Sequence, residues 1–215
     1  MNAITKQLEQ LNFMLIEMGA LVERAVACAA KGFVTQDSEN AKNVFRIGGE
    51  IEAKEKEIEG LCMKLLLRPL DPVQLRTISS VLHMIGELRK IGEQAGEISE
   101  VTEFLLNEAY TVDMGVLPDM ARETINMTID SIHALVHNDI NMALAVRDND
   151  DRVDDLFLAE KDMLIRTVRE DAERASQALD FLMVAKYFER IGDHACDVAE
   201  WVIYSITGKH TDSNK

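Results

Sequence analysis

The second half of this chain repeats the pattern of the first half at an offset of about one hundred residues. The segments TQDSENAKNV and HNDINMALAV align at an offset of 102, which pairs Asp37 with Asp139. The segments KIGEQAGEISE and RIGDHACDVAE align at an offset of 100, which pairs Gly92 with Gly192. We interpret the repeat as an internal duplication, so the fold should consist of two similar units.

Hydrophobic periodicity predicts that each unit contains three helices. Apolar residues recur at spacings of three and four, most clearly between Phe181 and Ile206, and this spacing places them on one face of a helix. Asp37 and Asp139 are the predicted N-caps of the second and fifth helices. The six predicted helices cover residues 4–32, 38–67, 73–107, 119–137, 140–171 and 174–207.

The predicted fold class is therefore all-α, with two pseudo-symmetric three-helix bundles joined end to end or side by side. We place the first bundle at residues 1–110, the second at 111–208, and a polar tail at 209–215. Gly192 is a poor helix former, so we expect its missing side chain to permit close approach of a neighbouring helix.

Composition and charge disfavour several classes of partner. The formal net charge is -15, which repels nucleic-acid phosphates and anionic membrane surfaces. The longest apolar runs are about six residues, against the ~18 needed to span a bilayer, so we expect no direct membrane insertion. The three cysteines are isolated in sequence and no signal-peptide pattern opens the chain. Both observations favour a cytoplasmic protein.

Four carboxylates lie along one sector of the last predicted helix, at Glu189, Asp193, Asp197 and Glu200. Helical residues three and four apart share a face, and this sector lies roughly 100–180° from the apolar stripe. Like charges at this spacing cost a few tenths of a kcal/mol per pair, so helix stability does not explain the arrangement. The row of carboxylates is either a solvated acidic face or a ligand-binding surface.

A second acidic pair, Asp150 and Asp154, lies on the fifth predicted helix. If the fifth and sixth helices are antiparallel neighbours, these aspartates can approach the row on the last helix. Carboxylates from two helices suit hard cations such as Mg²⁺ and Ca²⁺, or iron and manganese with oxygen ligands. The predicted second-half metal site consists of Asp150, Asp154, Glu189, Asp193 and Asp197.

The first half lacks the leading carboxylate of each pair. Gly48 aligns with Asp150, and Arg89 aligns with Glu189. We expect Arg89 to neutralise part of the acidic cluster that remains, so that a metal site there is weaker or absent. The members of this first-half cluster are Glu52, Glu93 and Glu97.

Other metal-binding or catalytic patterns are weaker. His133 and His137 are spaced to chelate an ion, but no Glu follows His133 as it would in a metalloprotease helix. A di-iron bundle would carry Glu-x-x-His on two helices, and the nearest match is Asp130-x-x-His133. A carboxylate-bridged hydrolase or oxidase remains an alternative to a protein without catalytic activity.

The segment YFERIGDHACDVAEWVIYSITG (187–208) closely resembles the signature helix of the PhoU family. A weaker copy, LRKIGEQAGEISE (88–100), resembles the same helix in the first repeat of that family, and residues 51–66 and 66–78 resemble the helix and turn before it. The resemblance covers about residues 4–207. It implies a cytoplasmic protein built of duplicated three-helix bundles, often as a homodimer.

The resemblance also implies a function. PhoU proteins are non-enzymatic negative regulators that couple the high-affinity phosphate ABC transporter to a sensor histidine kinase. The implied partners are the transporter ATPase (PstB-like) and the kinase (PhoR-like), and an adaptor for another transporter is the alternative. Some members bind divalent or ferric ions through acidic pairs spaced four apart, which Asp150/Asp154 and Glu189/Asp193 match. Iron, zinc, manganese, magnesium and calcium remain open.

Overall fold

The computed structural model describes residues 3–107 and 109–209, and over these ranges the chain is helical, with no strand. The all-α prediction is confirmed, and the predicted helix ends lie close to the observed ones except in the fifth helix. The predicted tail at 209–215 lies outside the described residues beyond Lys209. The helices are α1 (Ala3–Thr35), α2 (Ser38–Leu66), α3 (Pro72–Leu105), α4 (Leu117–His137), α5 (Ile140–Asp148), α6 (Asp150–Glu170) and α7 (Ala175–Thr207), with a 3-10 turn (Ala172–Arg174) before α7.

The duplication is visible in the turns that begin α2 and α5. Asp37 (φ -98, ψ 104) and Asp139 (φ -93, ψ 103) each accept hydrogen bonds from the backbone N–H groups two and three residues further on. The residues before them, Gln36 and Asn138, both have a φ of 50, a left-handed conformation typical of helix C-termini. Both predicted N-caps are confirmed, and the two units use the same turn.

The predicted fifth helix is interrupted at Asn149, which separates α5 from α6. The local sequence RDNDDR is rich in Asp and Asn, whose side chains compete for helical backbone hydrogen bonds. The prediction of one continuous helix was wrong here. The break places Asp150 and Asp151 in the first turn of α6, where the positive end of the helix dipole favours carboxylates.

The two units lie side by side, with α3 and α7 packed antiparallel along the seam between them. His83 stacks on Trp201 with ring centroids 3.9 Å apart, and Tyr187 Oη donates to Glu97 Oε2 at 3.2 Å further along. Buried apolar side chains from all seven helices form one continuous core. No helix within the described ranges is both long enough and apolar enough to cross a membrane.

Equivalent glycines on α3 and α7 are packed differently. A Cβ at Gly92 would lie 2.8 Å from Ile51 Cδ1, whereas the nearest atom to a Cβ at Gly192 would be Val153 Cγ1 at 3.6 Å. The close approach that we expected at Gly192 is therefore found at Gly92. Gly192 leaves room for a methyl group at ordinary contact distances.

The segment that joins α3 to α4 is held by the buried side chain of Gln177 on α7. Gln177 Oε1 accepts hydrogen bonds from Thr111 N at 2.6 Å and Val112 N at 2.9 Å, and its Nε2 donates to Ala109 O at 3.3 Å. Val112 is itself almost fully buried. The connection between the two units is thus part of the packed structure over residues 109–116.

Glu160 on α6 secures the end of the same segment. Its side chain has no exposed surface, and its Oε2 accepts a hydrogen bond from Val116 N at 2.8 Å. Burial raises the pKa of the Glu160 carboxyl to about 7, with the hydrogen bond from Val116 opposing the shift and the charge of Asp113 adding to it. Gly115 has a φ of 50, and a Cβ there would lie 2.4 Å from Oε2.

Candidate functional site

The groove between α6 and α7 brings together the two acidic pairs of the second half. Burial is the largest of the effects that raise the pKa of the Asp193 carboxyl to about 6. The negative charges of Glu189, Asp150 and Asp154 act in the same direction, whereas Lys186 opposes them. Lys186 also forms an ion pair with Glu189. Four of the five side chains in the predicted second-half site therefore interact across this groove.

Cys196 also lies in this groove, and our sequence reasoning missed it. Burial raises the pKa of the Cys196 thiol above its usual range, and the nearby charge of Asp150 adds to the effect. The thiol is within 3.7 Å of Val146 O and also hydrogen-bonds to Asp150. A protonated thiol is a weak hydrogen-bond donor. Its position three residues after Asp193 could have placed it on the same helix face.

Asp197 is the fifth side chain of the predicted site. It also interacts with His194, which faces α3 rather than α6. Its Oδ2 lies 3.8 Å from His194 Nδ1, and the same nitrogen lies 2.9 Å from Glu87 Oε2 on α3. Burial disfavours the charged imidazole, but hydrogen bonds with Asp197 and Glu87 raise the pKa of His194 to about 9. Glu87, His194 and Asp197 therefore form a second cluster, which we call the seam cluster.

The two clusters differ in how closely their ligand atoms approach. Within residues 3–107 and 109–209, one group of three His, Cys, Asp or Glu side chains has ligand atoms all within 4.8 Å of one another, and it is the seam cluster. The carboxylates of the α6–α7 groove form no such group of three within the same ranges. Metal binding by the groove stays a prediction.

Arg89 occupies the equivalent groove of the first half, between α2 and α3. Its guanidinium forms ion pairs with Glu55 on α2, at 3.2 Å, and with Glu93 one turn further along α3. The pairing of Arg89 with the first-half cluster that we expected is found, and it joins the two helices. A cavity of about 290 Å³ lies beside it, lined in part by Gly48, Glu52, Arg89, Glu93 and Glu97.

The histidine pair on α4 does not form a chelating arrangement. The rings of His133 and His137 are perpendicular with centroids 5.9 Å apart. His137 Nδ1 lies 2.9 Å from His133 O, so one ring nitrogen is engaged by the backbone of its own helix.

The fold and its grooves define a class: an internally duplicated helical-bundle protein with an acidic groove between helices in each unit. The PhoU domain model matches this chain twice, at residues 15–102 and 117–202. The two matches cover most of the sequence and coincide with the two units. The chain belongs to the PhoU family.

Individual relatives resemble the chain over nearly its whole length. The phosphate-specific transport system accessory protein PhoU homolog of Clostridium acetobutylicum is 30% identical over 209 residues, which cover 96% of this chain and 95% of that protein. The crystal structure of PhoU from Pseudomonas aeruginosa matches with a TM-score of 0.91 at 29% identity, over 95% of this chain and 99% of that one. PhoU from Streptococcus pneumoniae matches in fold, with a TM-score of 0.87 at 21% identity over 97% and 99% of the two chains.

Proposed function

We propose that this chain is a non-enzymatic regulator of phosphate uptake and of the phosphate-starvation response. The observation that carries the proposal is the family match in both units, together with near full-length similarity to a phosphate-specific transport system accessory protein. The regulator would act in the cytoplasm as a homodimer. It would couple the phosphate ABC transporter to a sensor histidine kinase and keep the starvation response off while phosphate is plentiful.

The charge of the chain supports docking on basic protein surfaces. A formal net charge of -15 accelerates association with positively charged partners and discourages contact with anionic ones. The proposed partners are the transporter ATPase (PstB-like) and the kinase (PhoR-like). Because exposed charges are screened by salt, these complexes should form faster at low ionic strength.

The α6–α7 groove fits a hard cation by the chemistry of its donors. Asp150, Asp154, Glu189 and Asp193 would supply oxygen ligands from two helices. Burial is the largest cause of the raised pKa of Asp193, and the negative charges of the other three carboxylates add to it. A divalent or ferric ion would relieve this repulsion and draw α6 and α7 together. The ion would supply charge and cross-linking rather than catalysis, and so would shape the docking surface.

The regulatory proposal is tested by deletion of the gene and measurement of a phosphate-starvation reporter in phosphate-rich medium. We expect the reporter to switch on, and the intact gene to restore repression. An Asp150→Asn/Asp193→Asn variant should restore it poorly, whereas the matched first-half variant Glu52→Gln/Glu93→Gln should restore it well. A reporter that stays off after deletion contradicts the proposal.

The alternative of a carboxylate-bridged hydrolase or oxidase makes a different prediction. Metal-loaded purified protein would then turn over phosphate esters or consume oxygen, and the acidic groove variant would not. Our proposal predicts rates equal to those of buffer with the same metal. Turnover that depends on Asp193 would favour the enzyme.

A further inference from the structure

The seam cluster of Glu87, His194 and Asp197 joins the two repeated units, because Glu87 lies on α3 of the first and the other two residues lie on α7 of the second. His194 Nδ1 lies 2.9 Å from Glu87 Oε2 and 3.8 Å from Asp197 Oδ2. One imidazole nitrogen therefore points at an oxygen of each carboxylate. The other oxygen of Glu87 is paired with Lys90 at 2.8 Å, which fixes the orientation of this carboxylate.

The spacing of these atoms is close to that around a tetrahedral zinc ion. Nitrogen and oxygen ligands at 2.0–2.2 Å from zinc lie roughly 3.3–3.5 Å from each other. The two separations in the structure, 2.9 Å and 3.8 Å, fall on either side of this value. Small side-chain rotations would equalise them, and Asp197 is free to make such a rotation because about half of its side-chain surface, 53%, is exposed.

The burial of the cluster also suits a metal site with an open position. The side chains of Glu87 and His194 are 15% and 20% exposed, so two ligands are held by their surroundings. The exposed side, at Asp197, gives a route from solvent and room for a water molecule as the fourth ligand. Three protein ligands and one water are the arrangement found in many zinc sites.

We infer that the seam cluster is a binding site for a borderline divalent cation such as Zn²⁺, with Glu87, His194 and Asp197 as its ligands. A cation at this place gives both carboxylates a positive partner. It connects α3 to α7 and therefore clamps one repeated unit to the other. The inference goes beyond the regulatory function proposed above and does not depend on it.

The donor set distinguishes this site from the α6–α7 groove. An imidazole ligand favours Zn²⁺ and similar ions over Mg²⁺, whereas four carboxylates favour hard ions. The two sites should therefore respond to different metals and to different substitutions.

The chain carries its own reporter for the seam site. Trp201 is the single tryptophan and lies one helical turn after Asp197. Its indole stacks on His83 with ring centroids 3.9 Å apart, and His83 lies one turn before Glu87. A cation that draws α3 and α7 together at the seam cluster should therefore change the packing of this stack. The emission of Trp201 should report that change.

The test uses the full chain, stripped of metal with a chelator and then titrated with Zn²⁺ in a competing chelator buffer. We expect a saturable change in tryptophan emission with one Zn²⁺ per chain, and no change with Mg²⁺. His194→Gln should weaken this response at least about 100-fold, since even loss of a residue that only orients a ligand costs about 10–100-fold in affinity. Asp197→Asn should weaken it as well, and because the Asp197 side chain is 53% exposed, this substitution should leave the fold intact.

Two controls separate the seam site from other histidines and from the groove. His133→Gln, on the exposed face of α4, should bind Zn²⁺ with unchanged affinity, and Asp150→Asn/Asp193→Asn should keep the Zn²⁺-dependent emission change. The inference is overturned if His194→Gln and Asp197→Asn respond like the unmodified chain. It is also overturned if the groove variant alone abolishes the response.

Discussion

Glu160 is a single residue whose protonation is coupled to folding. Its pKa is raised from 4.5 to about 7 by burial, so the folded protein binds this proton more tightly than the unfolded chain does. The stabilisation of the fold by this bound proton is complete below about pH 4.5 and is lost as the pH rises to about 7. Glu160→Gln cannot ionise, so relative to this variant the unmodified chain should lose up to about 3 kcal/mol of unfolding free energy across this range.

Urea unfolding at a series of pH values measures this difference. Glu9→Gln, at an exposed position of α1, is the control and should track the unmodified chain. If the unmodified chain and Glu160→Gln give parallel curves between pH 4.5 and 7, Glu160 does not titrate in this range.

The acidic grooves give a second prediction at the scale of single residues. Elemental analysis of purified protein should show that Asp150→Asn/Asp193→Asn loses the hard metal ion proposed for the α6–α7 groove, while Zn²⁺ at the seam cluster is kept. Glu52→Gln/Glu93→Gln should retain the hard ion, because Arg89 already neutralises that groove through Glu55 and Glu93. Equal losses from the two double variants would contradict the assignment of the metal to the second half.

The sequence predicted the acidic residues of the grooves because their spacing is local, four residues along one helix. It did not predict the seam cluster, because Glu87 is 107 positions away from His194. Glu160 was missed for a related reason. Its burial depends on the path of the connecting segment across α6, and periodicity within α6 carries no information about that path.

At the scale of helices, the paired glycines of α3 and α7 provide a matched test. Gly192→Ala should stabilise the protein by about 0.5–1 kcal/mol, because alanine is the better helix former and a Cβ fits there. Gly92→Ala gains the same propensity but forces Ile51 to shift, since its Cδ1 would lie 2.8 Å from the new Cβ. Thermal or urea unfolding should rank Gly192→Ala above Gly92→Ala, and the reverse order would contradict the packing described here.

Helices were predictable where capping and periodicity agreed, as at Asp37 and Asp139. The break at Asn149 was not, because the apolar spacing continues on both sides of it and periodicity alone favours one long helix. The Asp and Asn residues around it are poor helix formers, and this property lies in composition and not in hydrophobic pattern. The aligned position in the first half, Ile47, lies within continuous helix.

For the whole molecule, the packed connection predicts that the two units unfold together. Gln177→Ala would leave the buried Val112 N–H and the neighbouring Thr111 N–H without their shared acceptor, which costs about 1–3 kcal/mol for each buried group. We expect one transition, at lower urea, seen alike by circular dichroism and by Trp201 emission.

The exposed residue Glu173 provides the control, since Glu173→Ala should shift the midpoint little. Transitions at different urea concentrations for the two probes in the unmodified chain would show that the units unfold independently. In that case the shared core does not make the two units unfold cooperatively.

The ion pairs of Arg89 affect how the first unit responds to the loss of dissolved metal ions. The Arg89 guanidinium is covalently part of the chain, so its ion pairs with Glu55 and Glu93 form without a dissolved cation. At the position in the second half that aligns with Arg89, the sequence carries Glu189. If the α6–α7 groove holds the proposed ion, loss of that ion would change the spacing of α6 and α7, whereas the pairing of Arg89 would still hold α2 against α3.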